Sequence, residues 1–260
     1  MARATRRADP GRRARDLAVG RYARIDRGRV RRVGVPEVIL GEGKTVEHLL
    51  GILRTFASRG EGALVSRPTK AQRRALEHVR REGMPIRFLA RGRLARLSGP
   101  LGTSFRRGTV ALVAAGTSDV PVAEEARAVL HELRIETITA YDVGVAGLHR
   151  LLGAIARLER ARPAIYLAFA GREGALPTVL AGLVRAPVVG VPTSVGYGRG
   201  GRGEAALNAM LQSCAPIAVV NIDAAVPAAL FAAQGFARPP GRARGPGPPP
   251  RRRSSPGPSG

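Results

Sequence analysis

The pattern of apolar and polar positions from residue 108 onward alternates between short apolar runs and helical stripes. The runs predict strands at 109–115, 136–141, 164–170, 187–191 and 217–222, and the stripes predict helices at 122–133, 148–158, 176–184, 205–211 and 228–234. Val122, Ala126 and Val129, for example, are spaced as one helix face. Continuous apolar strands that alternate with helices predict a parallel sheet buried on both faces.

A smaller α/β domain is predicted over residues 37–100. Leu49, Leu53 and Phe56 lie near helical spacing, and a second helix is predicted over Lys70–Arg81. Short apolar runs flank that helix at 62–66, 86–90 and 94–97. Residues 101–107 contain Gly, Thr and Ser and are the candidate linker to the large domain at 108–237.

The two ends of the chain lack this patterning. Residues 1–36 hold 12 Arg and predict a basic leader arm. Residues 238–260 are Pro, Gly, Arg and Ser apart from Ala243 and predict a disordered tail. The sequence has no apolar run long enough for a membrane span and no secretory h-region, so we expect a cytoplasmic protein without a membrane partner. The single Cys214 excludes an internal disulfide.

The net charge of +24 is unevenly distributed. Residues 1–107 carry +18, residues 108–237 carry zero and residues 238–260 carry +6. Of 43 basic residues only Lys44 and Lys70 are Lys, which is typical of genomic codon bias rather than of a selected phosphate-binding surface. We therefore expect no specific nucleic-acid partner.

The candidate chemistry lies in five loops that follow the predicted strands, where open parallel sheets bind their ligands. These Gly-rich or small polar loops are 115–119, 142–150, 171–174, 193–198 and 221–223. Glycine lets backbone N–H groups approach an anion, and a following helix N-terminus favours negative charge. The pattern predicts a small ligand that carries phosphate.

Each candidate side chain also has a purely structural interpretation. Ser118 and Asp119 could cap the next helix, which has Pro121 in its first turn. His149 could be packed on an apolar helix, and Glu173 could match a helix dipole. Cys214 could be inert and buried, as free cysteines commonly are.

Long strings at these loops resemble the LarB family, the pyridinium-3,5-biscarboxylic acid mononucleotide synthases of nickel-pincer cofactor assembly. The strings are PEVI at 36–39, GEGKT at 41–45, AGTSDVPVAEEA at 115–126, YDVGVAGLHR at 141–150, EGALP at 173–177, VPTSVGYG at 191–198, SCA at 213–215 and VVNID at 219–223. The resemblance implies a three-layer, flavodoxin-like parallel sheet similar to aminoimidazole ribonucleotide carboxylases, preceded by the small α/β domain. It also implies a homo-octamer.

The implied reaction starts from nicotinic acid adenine dinucleotide and uses CO2 as co-substrate. The pyridinium ring is carboxylated and the phosphoanhydride is hydrolysed to release AMP, with Mg²⁺ expected at the pyrophosphate. The resemblance places the nucleophile at Cys214. Glu173 ranks first as the base that removes the ring proton, and Asp119 and His149 are further catalytic candidates. The residues expected to bind substrate are Gly116, Thr117, Ser118, Arg150, Gly171, Gly174, Ser194 and Lys44; no metal ligands are identified.

The sequence departs from the family pattern near Cys214 and after Asp223. Residues 224–227 are Ala-Ala-Val-Pro where Asn-Gly-Phe-Gly is usual, Arg172 stands where Met is usual, Gln212 stands where Asn is usual, and a Gly is absent between Pro216 and Ile217. A non-catalytic nucleotide-binding protein of the same fold is therefore one alternative. The other is an aminoimidazole ribonucleotide mutase or carboxylase, which should lack both the Lys44 region and the cysteine.

Overall fold

The computed structural model describes residues 16–103 and 105–237. The N-terminal domain has the elements β1 (Leu17–Val19), β2 (Ala23–Ile25), α1 (Arg29–Val33), β3 (Val38–Leu40), α2 (Val46–Ala57), β4 (Ala63–Ser66), α3 (Lys70–Arg81), β5 (Ile86–Leu89) and β6 (Leu94–Leu97). Strands β1 and β2 form an antiparallel hairpin. The other four form a sheet of order β3-β4-β6-β5, in which only β3 and β4 are parallel.

The predicted leader arm is wrong for residues 17–33, which form the hairpin and α1. Val19 and Ile25 are buried in the core of the N-terminal domain, together with Leu49 and Leu53 of α2. Each strand of the hairpin has three residues and buries one of them, so neither run is long enough to show a period. The remainder of the predicted arm at 1–15, and the predicted disordered tail at 238–260, lie outside the described residues.

The C-terminal domain continues with β7 (Thr109–Ala114), α4 (Val120–Glu132), β8 (Glu136–Ala140), α5 (Leu148–Arg160), β9 (Ile165–Ala170), α6 (Leu176–Ala181), β10 (Val188–Pro192), α7 (Glu204–Leu211), β11 (Ile217–Val219) and α8 (Ala225–Gln234). All five strands are parallel, in the order β8-β7-β9-β10-β11. This is the flavodoxin-like order, and it confirms the predicted fold class.

The sheet is the middle of three layers. Helices α4 and α8 bury their apolar faces on one side, against a core that includes Leu112 and Phe169. Helices α5, α6 and α7 cover the other side, against Val113 and Tyr166. Because β7 and β9 are buried on both faces, they appear in the sequence as unbroken apolar runs.

The N-terminal domain packs against the α4 side of this sheet. Leu64 of β4 and Leu94 of β6 belong to the same apolar core as α4 and α8. The carboxylate of Glu125, buried on α4, accepts hydrogen bonds from Ser66 Oγ at 2.8 Å and from Arg93 Nε at 2.9 Å. A second ion pair joins Arg96 to Glu132 at 2.9 Å. Apolar contact and buried ion pairs therefore hold the two domains together.

None of the helices in the described part of the chain is long and apolar enough to cross a membrane.

Candidate active site

The candidate site lies at the carboxyl edge of the parallel sheet. We call its five loops the rim: 115–119 after β7, 141–147 after β8, 171–175 after β9, 193–203 after β10 and 220–224 after β11. From β7 the chain continues to β8 on one side, whereas β9 lies on the other side of β7. The loops after β7 and β9 therefore diverge, which opens the crevice where such sheets bind ligands.

Asp119 holds three rim loops together. Its Oδ2 accepts the Gly116 N–H at 2.8 Å, and its Oδ1 accepts the Gly171 N–H at 3.1 Å and the Thr193 hydroxyl at 2.5 Å. The side chain makes no capping bond to α4, so the helix-cap interpretation is wrong for Asp119. Burial raises the pKa of the Asp119 carboxyl above its ordinary value, and these three hydrogen bonds oppose that shift.

This arrangement changes the interpretation of two rim glycines. The sequence predicts that Gly116 and Gly171 offer their N–H groups to a substrate phosphate, but both groups bind the carboxylate of Asp119 instead. The side chain of Asp119 is only 4% exposed, and both of its oxygens are engaged. Asp119, which we listed among the catalytic candidates, is thus placed to position the loops.

Gly171 and Gly174 of the predicted site also allow close backbone approach. A Cβ at Gly171 would lie 2.3 Å from the carbonyl oxygen of Val195, and one at Gly174 would lie 2.6 Å from that of Ala206. Gly174 also has a φ of +65°, a left-handed conformation that side chains disfavour. Only glycine brings the loop after β9 this close to its neighbours.

Six of the side chains that the sequence predicts for catalysis or substrate contact face solvent, on the rim or in the first turn of α5. Thr117, Ser118, His149, Arg150, Glu173 and Ser194 are all exposed. The packed-histidine interpretation is therefore wrong for His149. Arg150 pairs with Asp142 at 2.5 Å across the loop after β8. The rim presents a carboxylate, an imidazole and a guanidinium to a ligand.

Sequence reasoning did not assign a role to Arg172 and Tyr197, which meet across two rim loops. The Arg172 guanidinium lies 4.9 Å from the centre of the Tyr197 ring and donates to its hydroxyl at 3.1 Å. Tyr197 is 77% exposed, which is unusual for a tyrosine outside an interface or a ligand site. The sequence signal that could have identified Tyr197 is its position between Gly196 and Gly198 in a candidate ligand loop.

The N-terminal domain reaches the rim through the loop that carries Lys44. The side-chain amide of the buried Gln72 donates to the carbonyls of Gly41 and Lys44, both at 2.8 Å, and so fixes this loop. Glu42 of the same loop lies 3.7 Å from Arg67, which donates to the backbone carbonyl of Asp223 at 2.7 Å. The Lys44 loop therefore lies beside the rim loop after β11, and Arg67 is a contact that sequence reasoning missed.

Cys214 lies away from the rim of its own chain. It follows α7, which runs from the carboxyl edge of the sheet back towards the amino end of β11. Its neighbour Ser213 hydrogen-bonds Thr178 on α6 at 2.8 Å, and Ile217 pairs with Val188 at the start of β10. The thiol is exposed, so the interpretation of Cys214 as a buried cysteine is wrong, and its reactivity stays a prediction. One chain does not bring Cys214 to the carboxyl edge with Asp119 and Glu173.

The described residues show no metal cluster, and a cavity elsewhere in the structure does not belong to the rim. Among the described residues, no three His, Cys, Asp or Glu side chains gather as a metal cluster, and Mg²⁺ at the pyrophosphate stays a prediction. A cavity of about 1000 Å³ lies between α1 and the interdomain linker, and its lining includes Arg29, Phe56, Gly62 and Leu101. Gly62 precedes β4, whereas Arg67 follows it, so this cavity lies at the opposite edge of the N-terminal sheet from the rim contact.

Comparison with known proteins gives matches for both domains. Residues 16–99 match the model of the LarB/PurE-like N-terminal domain, and residues 109–240 match that of AIR carboxylase. An uncharacterized protein of Methanocaldococcus jannaschii is 37% identical over 213 residues, which cover 80% of this chain and 82% of the relative. A probable N5-carboxyaminoimidazole ribonucleotide mutase of Methanothermobacter thermautotrophicus is 33% identical over 131 residues, 48% of this chain and 37% of that protein. The corresponding mutase of Pyrococcus abyssi is 34% identical over 131 residues, 48% of this chain and 71% of that protein.

Proposed function

Because the chain belongs to the LarB family, with a C-terminal domain of the AIR carboxylase type, we propose that it carboxylates the pyridinium ring of nicotinic acid adenine dinucleotide and hydrolyses the phosphoanhydride. The observation that carries this proposal is the combination, in one chain, of a LarB-type N-terminal domain, a carboxylase-type rim and an exposed thiol. The two mutase relatives match over 131 residues, about the length of the C-terminal domain alone. The product supports nickel-pincer cofactor assembly.

The ring chemistry needs a nucleophile because a pyridinium carbon is too electron-poor to attack CO2. The Cys214 thiolate adds to the carbon opposite the ring nitrogen, and the displaced π electrons move to the nitrogen. The neighbouring enamine carbon then attacks CO2 and forms the new C–C bond. A base removes the proton from that carbon, and the electron pair restores the aromatic ring as the thiolate leaves.

Glu173 is the base that we assign to this step. Its carboxylate is exposed on the loop between β9 and α6, beside the crevice where the loops after β7 and β9 diverge, so a ligand can reach it. His149 and Arg150 are exposed in the first turn of α5, next to the rim loop after β8, and are available to the phosphates. Hydrolysis then requires water to add to one phosphorus of the phosphoanhydride while the bridging P–O bond breaks, so that AMP and the carboxylated mononucleotide separate with one phosphate each. No step is assigned to Mg²⁺.

The position of Cys214 implies that a second copy completes the site. Within one chain the thiol lies towards the amino edge of the sheet, whereas Glu173 lies at the carboxyl edge. Three leucines are exposed on the helices that cover the same side of the sheet as α7: Leu148 and Leu152 on α5, and Leu211 three residues before Cys214. Exposed large apolar side chains are typical of a self-association surface. We therefore propose that the homo-octamer joins Cys214 of one copy to the rim of another.

The test of the activity is mass spectrometry after the full-length protein is mixed with nicotinic acid adenine dinucleotide, a CO2 source and Mg²⁺. The proposal expects AMP and a mononucleotide heavier than nicotinate mononucleotide by one carboxyl group. AMP alone would refute carboxylation, and binding without turnover would favour a non-catalytic nucleotide-binding protein. Turnover of N5-carboxyaminoimidazole ribonucleotide instead would favour a mutase.

The roles of Cys214 and Glu173 are tested with Cys214→Ser and Glu173→Gln. Each variant alone should lose carboxylation while keeping its melting temperature, because both side chains are exposed. Mixed and reassembled octamers of the two inactive variants should regain part of the activity if each site takes its thiol from another copy. No recovery on mixing would contradict the shared site, and full activity of Cys214→Ser would contradict the covalent route.

A further inference from the structure

Two residues with left-handed backbone conformations face each other where the N-terminal domain meets the rim. Arg67, directly after β4, has a φ of +50°, and Asp223, in the loop after β11, has a φ of +54°. Non-glycine residues in this conformation cost free energy and persist only where the surroundings hold them. The two residues are 156 positions apart in the sequence and are in direct contact.

Arg67 makes its contacts through both ends of its guanidinium group. Nη2 donates to the backbone carbonyl of Asp223 at 2.7 Å and lies 3.8 Å from its Oδ2. Nη1 lies 3.7 Å from Glu42 in the Lys44 loop. The side chain is 27% exposed, so these contacts are partly shielded from water. One arginine thus links the Lys44 loop to the loop after β11.

Asp223 also binds the end of β10 and the loop that follows it. Its Oδ1 accepts the Ser194 N–H at 2.9 Å, and its own N–H donates to Pro192 at the end of β10 at 2.7 Å. Ser194 begins the loop that carries Tyr197, which in turn contacts Arg172 beside Glu173. An unbroken series of contacts runs from β4 of the N-terminal domain to the proposed base.

Contacts other than those of Arg67 already hold the two domains together. Glu125 and Glu132 on α4 already bind Arg93 and Arg96 of the N-terminal domain, and an apolar core spans the junction. The Arg67 backbone N–H donates to the Arg93 carbonyl at 2.7 Å, within the N-terminal domain. In the hydrogen bonds and ion pairs of the described residues, the Arg67 side chain has only Asp223 and Glu42 as partners. The Arg67 side chain therefore helps to fix the positions of the rim loop after β11 and of the Lys44 loop.

We infer that Arg67 is a positioning residue that lets the N-terminal domain set the loop 193–198 for a phosphate-bearing ligand. The inference about catalysis rests on the proposed function, whereas the inference about the loop does not. It gives the N-terminal domain a part in the site besides the Lys44 loop. It also predicts that the altered residues after Asp223 leave the rim intact, because Arg67 binds the backbone carbonyl at 223.

Hydrogen exchange of the free, full-length protein tests the loop directly. Arg67→Gln should raise amide exchange in peptides covering 193–198 and 220–224 by about tenfold, which is the loss of one interaction of ordinary strength. Exchange in α4 should not change. The control is Arg87→Gln, which removes an exposed ion pair to Glu132 across the same domain junction. Unchanged exchange in both loops of Arg67→Gln would overturn the inference.

Kinetics distinguish positioning of the ligand from general damage. Arg67→Gln should raise KM for nicotinic acid adenine dinucleotide by about tenfold and change kcat by less than about twofold, because loop contacts act equally on ground and transition states. Arg67→Lys, which keeps the charge, should recover part of the loss, and Arg87→Gln should match wild type. Equal KM effects in the Arg67→Gln and Arg87→Gln variants would overturn the inference. A wild type without turnover refutes the proposed function, and the exchange experiment still decides the role of Arg67.

Discussion

Replacement of Asp119 tests whether the rim is held together by an internal carboxylate. Asp119→Ala removes the acceptor for the Gly116 and Gly171 N–H groups and for the Thr193 hydroxyl. Asp119→Asn keeps the size but presents an NH2 group where one of these donors now binds. The alanine variant should therefore lose all three bonds and the asparagine variant one of them.

The expected loss of unfolding free energy follows from the burial of the groups that bind Asp119. Gly171 and Thr193 are buried, so their donors would be left without an acceptor at about 1–3 kcal/mol each. The alanine variant no longer has to bury a charged carboxylate, and this gain offsets part of the cost. We expect Asp119→Ala to lower the free energy of unfolding by about 3 kcal/mol. For a chain of this size that corresponds to a fall in Tm of roughly 6–12 °C. Asp119→Asn should lose less than half as much.

The assay is urea unfolding followed by circular dichroism, with Asp142→Asn as the matched control. Asp142 is on the same rim, has an exposed side chain and makes one ion pair with Arg150, so its replacement should cost less than about 1 kcal/mol. Asparagine also tolerates the left-handed backbone at this position. Equal midpoints for Asp119→Ala and wild type would refute the role of Asp119 in holding the rim.

The pH dependence provides a second measurement on the same variants. Burial raises the folded-state pKa of Asp119 above its ordinary value of 3.8, so the folded protein binds this proton more tightly than the unfolded chain does. Stability from this group is present below pH 3.8 and is lost as the pH rises through the folded pKa. The stability of wild type relative to Asp119→Asn should therefore fall with rising pH over that window. A difference that rises with pH would show that the pKa is lowered instead.

Two further predictions concern the rim glycines and the domain junction. Gly171→Ala should cost at least about 2 kcal/mol and weaken substrate binding, because its Cβ would overlap the Val195 carbonyl; Gly153→Ala, in open space on α5, should be neutral or stabilising by up to about 1 kcal/mol. Equal stability of the two variants in thermal melts would contradict the packing argument. Glu125→Gln should destabilise the protein by about 3 kcal/mol, because it leaves Arg93 without its buried partner, and a urea midpoint within error of wild type would show that the ion pair does not hold the domains.

The parallel sheet could be predicted because its strands are continuous apolar runs separated by helices of one clear period. The helix Lys70–Arg81 was predicted with the bounds that the structure has, since it is amphipathic and begins after the capping box of Thr69 and Gln72. β11 was predicted over 217–222 but ends at Val219. Val220 and Ile222 have strand-forming side chains, yet residues 220–222 belong to the rim loop that Asp223 fixes.

The site was predictable only in part, because sequence order does not show which loops meet. The rule that ligands bind at the carboxyl ends of strands placed Glu173, His149 and Ser194 on one edge. It could not show that the N–H groups of Gly116 and Gly171 bind Asp119, since an internal anion and a substrate phosphate demand the same glycines. The contact of Arg67 with Asp223 joins residues of different domains and has no local pattern at all.

Asp119 and Glu173, two of the carboxylates on the rim, differ in burial, and this difference supports separate roles for them. Asp119 is buried and engaged in three hydrogen bonds, so transfer of its proton would break the contacts that hold the loops. Glu173 is exposed and can accept a proton from a ligand without that cost. The charge of Glu173 also contributes to the raised pKa of Asp119, which places the two groups within electrostatic reach of each other. This contrast supports the proposal that Asp119 positions the rim loops while Glu173 takes the ring proton, since the substrate must stay fixed as that proton leaves.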